Sequence, residues 1–393
     1  KTPFMVKLKY PKINFTKEVF FMYFNTQEEI ITRIGKSLEK SLILRKKVIK
    51  ILSGIIIGII LGKSTIVSRI AENLKEDFCN GTEESKKKKI KRFFNRKITD
   101  DMYQFFVEDI LTRYKAEDNK VLIVFDHTTC DDRFVILNFM LSIGKRGVPL
   151  YYKVYEYKDP KNKNMEDVKK GLRIIQKMLE PYKYEVTVLG DRGFGSIELF
   201  EYINKMGWTY YIRIKGGTNV HIEGEEVIGK LEEIEHPRRN TRFFEGVEIT
   251  QKRYKCNIAS KPSGEKEDNT WYIATNGDVK KAINNYKRRF TIEEMFKDMK
   301  SNGLGMEETW SKKLEYFKNI MLCISIAYVY IITIGSECCR NGRNKEIGVH
   351  VKTKRGNKTR VYSVFTVGMK WFKRCYFSKK EKRLICEFLL YDL

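Results

Sequence analysis

Three acidic residues stand out by their positions in the sequence. Asp126 and Asp191 end two apolar runs, VLIVFD and VTVLGD, while Glu293 lies in the basic stretch YKRRFTIEEMFKDMK. Such runs are typical of strands buried on both faces, and ligands gather at the carboxyl ends of strands in open α/β sheets. If the two strands are parallel neighbours, about 4.8 Å apart, both aspartates face one small volume. Each acid alone is better explained as a strand-end cap or a surface charge, and only their combination indicates a site.

Clustered carboxylates repel one another unless divalent cations lie between them. Mg²⁺ prefers a few carboxylate oxygens together with the phosphate oxygens of a substrate. Two such ions about 4 Å apart activate a water or a 3′-hydroxyl on one side of a phosphodiester and stabilise the leaving oxygen on the other. Asp126, Asp191 and Glu293 are therefore predicted to form a phosphoryl-transfer centre.

The basic stretch carries a ridge of polar side chains around its acid. On a helix with about 100° per residue, four of them fall within about 60° of one another, and a fifth lies just beside them. They are Tyr286, Arg289, Glu293 and Lys300, with Lys297 beside them. Lys and Arg in such a place suit the backbone phosphates of DNA. The ridge is therefore expected to present one carboxylate to metal and several cations to DNA.

The overall charge favours a polyanionic partner. Lys and Arg total 76 against 50 Asp and Glu, which gives a formal net charge of +26. An excess of this size attracts nucleic acid or an acidic membrane surface. A lysine-rich proteome would also raise the charge, without any partner. The hydrophobic fraction of 42% is that of a folded globular protein.

Several other classes of protein are disfavoured. The eight cysteines form no CxxC pair and have no histidine at zinc spacing, which favours free thiols in a reducing, cytoplasmic compartment. The apolar run at 51–62 is too short to span a bilayer, and the amino end shows no signal-peptide pattern. The segment GKST at 62–65 has Ile57 where a phosphate-binding loop has glycine. Membrane insertion and nucleotide hydrolysis are therefore not expected.

The hydrophobic patterning predicts an α/β protein with a mixed sheet flanked by helices. Strands are predicted at 121–126, 134–142, 148–157, 186–191, 208–216 and 271–275, and helices at 102–114, 166–180, 196–206, from 279 through the basic stretch, and 314–335. The predicted regions are an N-terminal helical DNA-binding domain 1–97, a catalytic core in two parts 98–215 and 271–340, a β-strand insertion 216–270 and a basic C-terminal region 341–393.

The polar ridge resembles the signature of a known family. Tyr286, Arg289, Glu293 and Lys300 meet without a gap the pattern Tyr, two residues, Arg, three residues, Glu, six residues, Lys. This is the YREK motif of the DDE transposases of the insertion-sequence-four family, which includes the transposon-five transposase. LGDRGFGSIELFEYINKMGWTYYIRIKG is similar to the family's Asp-Arg-Gly-Phe block, and FDHTTC with KRGVPLYYKVYEY matches more loosely. The likeness covers roughly residues 50–335.

The resemblance implies a fold, an activity and cofactors. It implies an RNase H-like core in which Asp126, Asp191 and Glu293 bind two Mg²⁺ ions, which Mn²⁺ can replace. The implied activity is cut-and-paste transposition, in which the enzyme cleaves double-stranded DNA at terminal inverted repeats and joins the 3′ ends to target DNA. Family members act as dimers on paired ends, so a homodimer is expected. The localisation implied is the bacterial or archaeal cytoplasm, on the nucleoid.

The resemblance also implies residues that contact DNA. They are Tyr286, Arg289, Lys297, Lys300, Arg192 and Trp271. Relatives carry a Trp near a flipped base where Trp271 lies, although its interval to Tyr286 is shorter here. A strand Trp is also compatible with a plain core role, and Tyr286 with a half-buried aromatic whose hydroxyl caps a core hydrogen bond.

Some assignments stay open at this stage. Asp131 is the alternative to Asp126 as first acid, and His127 and Asp132 could also compete for metal. Glu294 is expected to be an ordinary surface acid, because it points about 100° away from Glu293 on a helix. The competing functions are a domesticated, sequence-specific DNA-binding protein without catalysis and an RNase H-like metal-dependent nuclease.

Overall fold

Helices and strands alternate along the described part of the chain. The computed structural model describes residues 22–24, 27–74, 82–159, 164–221, 228–236, 240–262, 270–300, 303–347, 350–352, 358–360, 362–377 and 382–384. Its helices are α1 (Gln27–Ser41), α2 (Lys46–Gly62), α3 (Val67–Glu72), α4 (Glu83–Phe94), α5 (Met102–Leu111), α6 (Met165–Leu179), α7 (Ile197–Lys205), α8 (Ala282–Lys287), α9 (Thr291–Met299), α10 (Leu314–Arg340) and α11 (Val364–Phe377). Its strands are β1 (Met22–Phe24), β2 (Lys120–Cys130), β3 (Phe134–Ile143), β4 (Arg146–Glu156), β5 (Glu185–Gly190), β6 (Thr209–Ile214), β7 (Asn219–His221), β8 (Ile228–Lys230), β9 (Arg242–Ile249), β10 (Tyr254–Lys261), β11 (Trp271–Thr275), β12 (His350–Lys352), β13 (Lys358–Arg360) and β14 (Lys382–Leu384).

One mixed sheet organises the molecule. Ten strands lie in the order β4-β3-β2-β5-β6-β11-β10-β9-β7-β8. Strands β2, β5 and β6 are parallel neighbours, and the other pairs of this sheet are antiparallel. Every residue of β3 is buried, as expected for a strand covered on both faces. The sheet confirms the mixed α/β class and the parallel pairing of the two apolar runs that end in aspartate.

The strand-rich stretch at 216–270 extends the main sheet. Its described strands β7, β8, β9 and β10 are antiparallel, as the short alternating runs predict. However, β10 also pairs with β11, with Lys261 opposite Trp271. The hydrogen bonding therefore continues from the sheet centre into this stretch, instead of stopping at the edge of a separate β unit. Backbone groups of β11 that would form an exposed edge are paired in this way.

Helices cover both faces of the sheet. Gly171 of α6 lies so close to Phe139 of β3 that a Cβ atom there would overlap the aromatic ring. Asp126 and Phe125 are consecutive in β2, so their side chains point to opposite faces. The ring of Phe125 stacks on that of Phe139, on the α6 side. Asp126 therefore faces the other side of the sheet, where α9 and α10 pack.

The longest helix, α10, lies in the core. Of the described helices it alone is long and apolar enough to cross a membrane by length and composition, yet 94% of its apolar window is buried. It packs against β4, against α2, whose stretch Ile55–Leu61 is apolar and buried, and against α11. The sheet and the N-terminal helices thus share one hydrophobic core.

The contact between α10 and α11 depends on two glycines. A Cβ atom at Gly335 would overlap the backbone carbonyl of Val364, and one at Gly368 would overlap that of Ile331. Helix α11 lies in the region for which the sequence predicts only a basic, weakly patterned tail. Nine of its residues are nevertheless buried. The interleaved Lys and Arg of this segment hide its apolar stripe.

We expect Gly335→Ala to lower the thermal denaturation midpoint, because the added methyl group forces α11 away from α10. Alanine is favoured over glycine within a helix by about 1 kcal/mol, so helix propensity alone would raise the midpoint. A lower midpoint would therefore report the lost packing. The matched control is Gly35→Ala in α1, where a Cβ atom comes no closer than 3.4 Å to its neighbours. This control is expected to leave the midpoint unchanged or raised. Equal midpoints for Gly335→Ala and wild type, by circular dichroism, would contradict the close helix packing.

Candidate active site

The first two acids lie side by side. Strands β2 and β5 pair in parallel, with Phe125 opposite Gly190. Asp191 directly follows β5, and Asp126 is the neighbouring position inside β2, which continues to Cys130 and does not end at the acid as the sequence predicts. A side chain at position 190 would crowd the ring of Phe125, with its Cβ atom at 2.9 Å. The glycine thus allows the two strands to bring their aspartates together.

Arg289 joins the first acid to the third. Its guanidinium lies 3.2 Å from Asp126 Oδ2 through one nitrogen and 2.6 Å from Glu293 Oε1 through the other. The arginine side chain is only 7% exposed, so water screens these ion pairs weakly. Glu293 itself is half exposed, which leaves part of its carboxylate open to solvent. The guanidinium therefore occupies the space between two carboxylates from distant parts of the chain.

Tyr286 holds the second acid. Its buried hydroxyl donates a hydrogen bond to Asp191 Oδ1 at 3.1 Å. The Arg289 guanidinium lies 5.6 Å from the centre of the Tyr286 ring, within cation–π range. Through Arg289 and Tyr286, two neighbouring positions of the polar ridge, the three acids are assembled into one cluster.

Burial controls the electrostatics of the cluster. Burial raises the pKa of Asp126 to about 6, and Asp191 and Glu293 act in the same direction. Arg289 and the backbone N–H of His127, 2.8 Å away, favour the charged carboxylate and limit this increase. Burial also raises the pKa of Tyr286, so its phenol keeps the proton that it donates. The site thus combines a carboxylate cluster with one buried cation.

Aromatic rings form one wall of the site. The ring of Trp271, at the start of β11, lies 5.3 Å from that of Tyr286 and 5.8 Å from that of Phe290. Phe290 lies in turn under the Arg289 guanidinium at 4.7 Å. Trp271 is half-buried, and Phe290 is 39% exposed. These two rings are the apolar surface next to the acids.

The other sequence-predicted cations lie around this cluster. Lys297 and Arg192 are exposed. Lys300 directly follows α9 with an extended backbone, so it lies off the helical ridge predicted from the sequence, and it makes an ion pair with Glu307 at 2.9 Å. Among the predicted DNA-contacting residues, Tyr286 and Arg289 are buried beneath the acids, while the two lysines and Arg192 lie nearer the surface.

The alternatives to Asp126 are engaged elsewhere. Asp131 makes an ion pair with Arg133 at 2.6 Å and has a positive φ of 48°, as a turn residue. Asp132 is exposed in the same turn. The His127 ring stacks on that of Phe194, 5.1 Å away. The geometry favours Asp126 as the first acid. Among these four residues, only Asp126 is ion-paired to Arg289.

The polar ridge differs locally from the single helix expected from the sequence. A 3₁₀ turn at Arg288–Phe290 separates α8 from α9. Such a turn advances about 120° per residue, compared with about 100° in an α-helix. This extra rotation separates the direction of Tyr286 from that of the α9 residues. Tyr286 belongs to the buried face of α8, with Ala282 and Ile283, and is 1% exposed.

A second charged cluster holds the far side of α9. Arg146, at the start of β4, lies 3.3 Å from Glu294 Oε2 and 3.1 Å from Asp298 Oδ2. Glu294 is therefore an ion-pair partner of a buried arginine, and not the ordinary surface acid expected from the sequence. Burial raises the pKa of Asp298 to about 7, although Arg146 opposes the increase. The signal for this cluster was the four-residue spacing of Glu294 and Asp298 on one helix face.

The chemistry of the acids fits a hard divalent cation. Carboxylate oxygens are the ligands that Mg²⁺ and Mn²⁺ prefer. Asp126, Asp191 and Glu293 are the residues that would hold such an ion. With Arg289 between two of them, they do not enclose one as placed, since no group of three or more His, Cys, Asp or Glu among the described residues is arranged closely enough. Arg289 supplies the positive charge between Asp126 and Glu293 in this arrangement.

Removing that cation is expected to destabilise the metal-free protein. Arg289→Met leaves Asp126 partly buried beside two other carboxylates, and breaking such a pair typically costs about 3–5 kcal/mol. We expect a lower denaturation midpoint at pH 8 in chelator, and a larger upward shift on adding Mn²⁺ than wild type shows. The control is Lys287→Met, an exposed cation two residues away. Identical Mn²⁺ shifts in Arg289→Met and wild type would contradict the role of Arg289 as the charge between the acids.

Part of the chain is similar to a known protein family. Residues 143–330, just under half of the chain, match the model of the transposase DDE domain. This range contains Asp191 and Glu293 and begins after Asp126. Among solved structures, the piggyBac transposase synaptic complex with hairpin DNA is similar with a TM-score of 0.39 and 12% identity, over 79% of this chain and 74% of that chain. None of the curated proteins compared with the sequence matches it. The matched segment of this chain, which carries the second and third acids, is thus similar to the transposase DDE domain.

Proposed function

We propose that the protein is a cut-and-paste DNA transposase of the insertion-sequence-four family. It cleaves DNA at the terminal inverted repeats of its element and joins the freed 3′ ends to target DNA. The observation that carries the proposal is the convergence of Asp126, Asp191 and Glu293 on Arg289 and Tyr286. The transposase DDE domain match over 143–330 supports it. A net charge of +26 agrees with a DNA substrate.

The three acids would hold two divalent ions, Mg²⁺ or Mn²⁺. Such ions supply an activated water or 3′-hydroxyl and stabilise the oxygen that leaves phosphorus. The protein's own part is to keep the acids in place. Tyr286 fixes the orientation of Asp191 by its hydrogen bond, and the parallel register of β2 and β5 fixes Asp126 beside it. Arg146 holds α9 from its far side through an ion pair with Glu294, the residue that follows Glu293.

The cations around the acids would bind the DNA backbone. Lys297 follows Glu293 on α9, Lys300 comes directly after that helix, and Arg192 follows Asp191 directly. Arg289 would turn from the carboxylates to a phosphate when metal takes over their charge. The half-buried ring of Trp271 offers a surface for a base beside the acids. These contacts place a phosphodiester next to the carboxylates without reading its sequence.

The proposal includes the organisation expected from the family resemblance. The core of 98–215 and 271–340 would be RNase H-like, and residues 1–97 would bind transposon ends. The enzyme would act as a homodimer, which allows two ends to be cut in one complex. Its place in the cell would be the cytoplasm, on the nucleoid.

Strand transfer tests the role of the acids. The protein is incubated with duplexes that carry its own element's ends, a target plasmid, and Mg²⁺ or Mn²⁺. Wild type is expected to give joined products. Asp126→Asn, Asp191→Asn and Glu293→Gln are each expected to abolish cleavage and joining while end binding is retained, because each removes a charged ligand without changing side-chain size.

The matched control is Asp131→Asn, which removes the alternative first acid. It is expected to cleave and join like wild type, since Asp131 is paired with Arg133. Normal cleavage by Glu293→Gln would overturn the assignment of the triad. Cleavage without joining by wild type would indicate a nuclease, and a stable complex without cleavage would indicate a DNA-binding protein.

Lys300 provides a separate test of phosphate contacts. Lys300→Ala is expected to weaken DNA binding and to reduce the slope of log K against log salt by about 1. Glu307→Gln frees Lys300 from its ion pair and is expected to strengthen binding instead. The measurement is a filter-binding titration over a range of salt concentrations. An unchanged slope in Lys300→Ala would count against a phosphate contact at this position.

A further inference from the structure

Trp310 is the most exposed large apolar side chain among the described residues. It is 87% exposed, compared with 39% for Phe290 beside the acids. An indole in this position adds no burial to the folded state, and hydration of so large an apolar surface is unfavourable. Packing in the monomer therefore does not explain this residue.

The backbone on both sides of Trp310 is held in place. Arg133 donates hydrogen bonds to the carbonyl oxygens of Thr309 and Ser311, the residues directly before and after the tryptophan. It also binds the carbonyl oxygen of Glu307 at 3.2 Å. The Arg133 side chain is only 18% exposed, so these bonds lie away from bulk water. The loop thus presents its indole on a fixed backbone, with little entropy left to lose on binding.

The same loop is fixed at its beginning. Thr65 donates a hydrogen bond to the carbonyl oxygen of Gly305 at 2.7 Å, and Glu308 makes an ion pair with Arg69 at 3.1 Å. The loop is therefore attached to the N-terminal helices as well as to the end of β2. Two separate parts of the fold support one exposed side chain.

The charges next to Trp310 favour an anionic partner. Lys312 and Lys313 follow it and are exposed, and neither makes an ion pair in the described part of the chain. The acids that precede it, Glu307 and Glu308, are already paired with Lys300 and Arg69. An aromatic ring beside unneutralised lysines is the arrangement by which proteins bind single-stranded nucleic acid.

The loop lies near the edge of the sheet that carries the acids. Cys130 ends β2 four residues beyond Asp126, a distance of about 13 Å along an extended strand. The Cys130 thiol contacts the carbonyl oxygen of Met306 at 3.7 Å. DNA bound at the acids would therefore need only a few more nucleotides to reach Trp310.

We propose that Trp310 is a stacking platform for an unpaired DNA base, with Lys312 and Lys313 binding the phosphates beside it. This inference rests on the proposed function, because it takes DNA as the substrate. A base inside an intact duplex has no free face for the indole. The platform therefore binds DNA whose bases are unpaired, next to the cleaved or joined phosphodiester.

The test compares two DNA molecules with the full chain. One is a duplex with a short single-stranded extension that carries 2-aminopurine, and the other is the same duplex with blunt ends. Trp310→Ala is expected to weaken binding of the extended duplex by roughly 5- to 150-fold. It should also restore the 2-aminopurine fluorescence that stacking on the indole quenches in the wild-type complex. Binding of the blunt duplex should change little. Trp310→Phe should keep most of the affinity, because it retains an aromatic face.

Two controls complete the design. Phe377→Ala removes another exposed aromatic ring, 62% exposed on α11, and is expected to leave both affinities unchanged. The double change of Lys312 and Lys313 to Ala should weaken both DNA molecules and flatten their salt dependence. Equal affinities of wild type and Trp310→Ala for the extended duplex would overturn the platform. A loss of self-association in Trp310→Ala without a change in DNA binding would show that Trp310 binds a second copy of the chain.

The outcome is independent of catalysis. Binding is measured in the Glu293→Gln background, so the result does not depend on cleavage or joining. If wild type fails to join DNA while Trp310→Ala weakens binding of the extended duplex, the proposed transposase function fails and the platform stands. If wild type joins DNA and Trp310→Ala binds the extended duplex as tightly as wild type does, the transposase function stands and the platform fails.

Discussion

The contact between Arg289 and two carboxylates is the interaction on which the site depends. Asp126 is carried by the sheet and Glu293 by a helix packed over it, and the arginine spans the space between them. Without a cation at that point, three acids in a partly dehydrated space would repel one another and push α9 away from the sheet. An intrinsic cation thus allows the fold to keep its acids close before any metal or DNA is bound.

The helix that carries Glu293 is restrained from two directions. Arg289, just before α9, is paired with Asp126 of β2, and Glu294 of α9 is paired with Arg146 at the start of β4. A rotation of α9 that improved one of these pairs would stretch the other. The rotational position of the helix is therefore defined by charge as well as by the burial of Ile292, Met295 and Met299. Arg146 is in this sense a positioning residue for the acid, although it belongs to a different cluster.

Local hydrophobic patterns were sufficient to predict most of the strands of the sheet. The apolar runs ending in Asp126 and Asp191 indicated two parallel neighbouring strands, and the register confirms that pairing, although β2 continues past Asp126 to Cys130. Local patterns could not reveal the 3₁₀ turn between α8 and α9, because the sequence is compatible with an unbroken helix. They also could not show that Glu294 faces Arg146, which lies 148 positions earlier. Helix α11 was missed since its buried face is interrupted by Lys and Arg, and its fit depends on Gly335 of another helix.

The distances along the chain between site residues have a consequence for synthesis. Asp126 is 163 positions from Arg289, and Asp191 is 95 positions from Tyr286. A nascent chain that has completed β2 and β5 therefore holds two acids and none of the residues that complete their site. It gains the third acid only when α9 leaves the ribosome and packs on the sheet. The order of the elements along the chain therefore delays assembly of the carboxylate cluster until most of the fold exists.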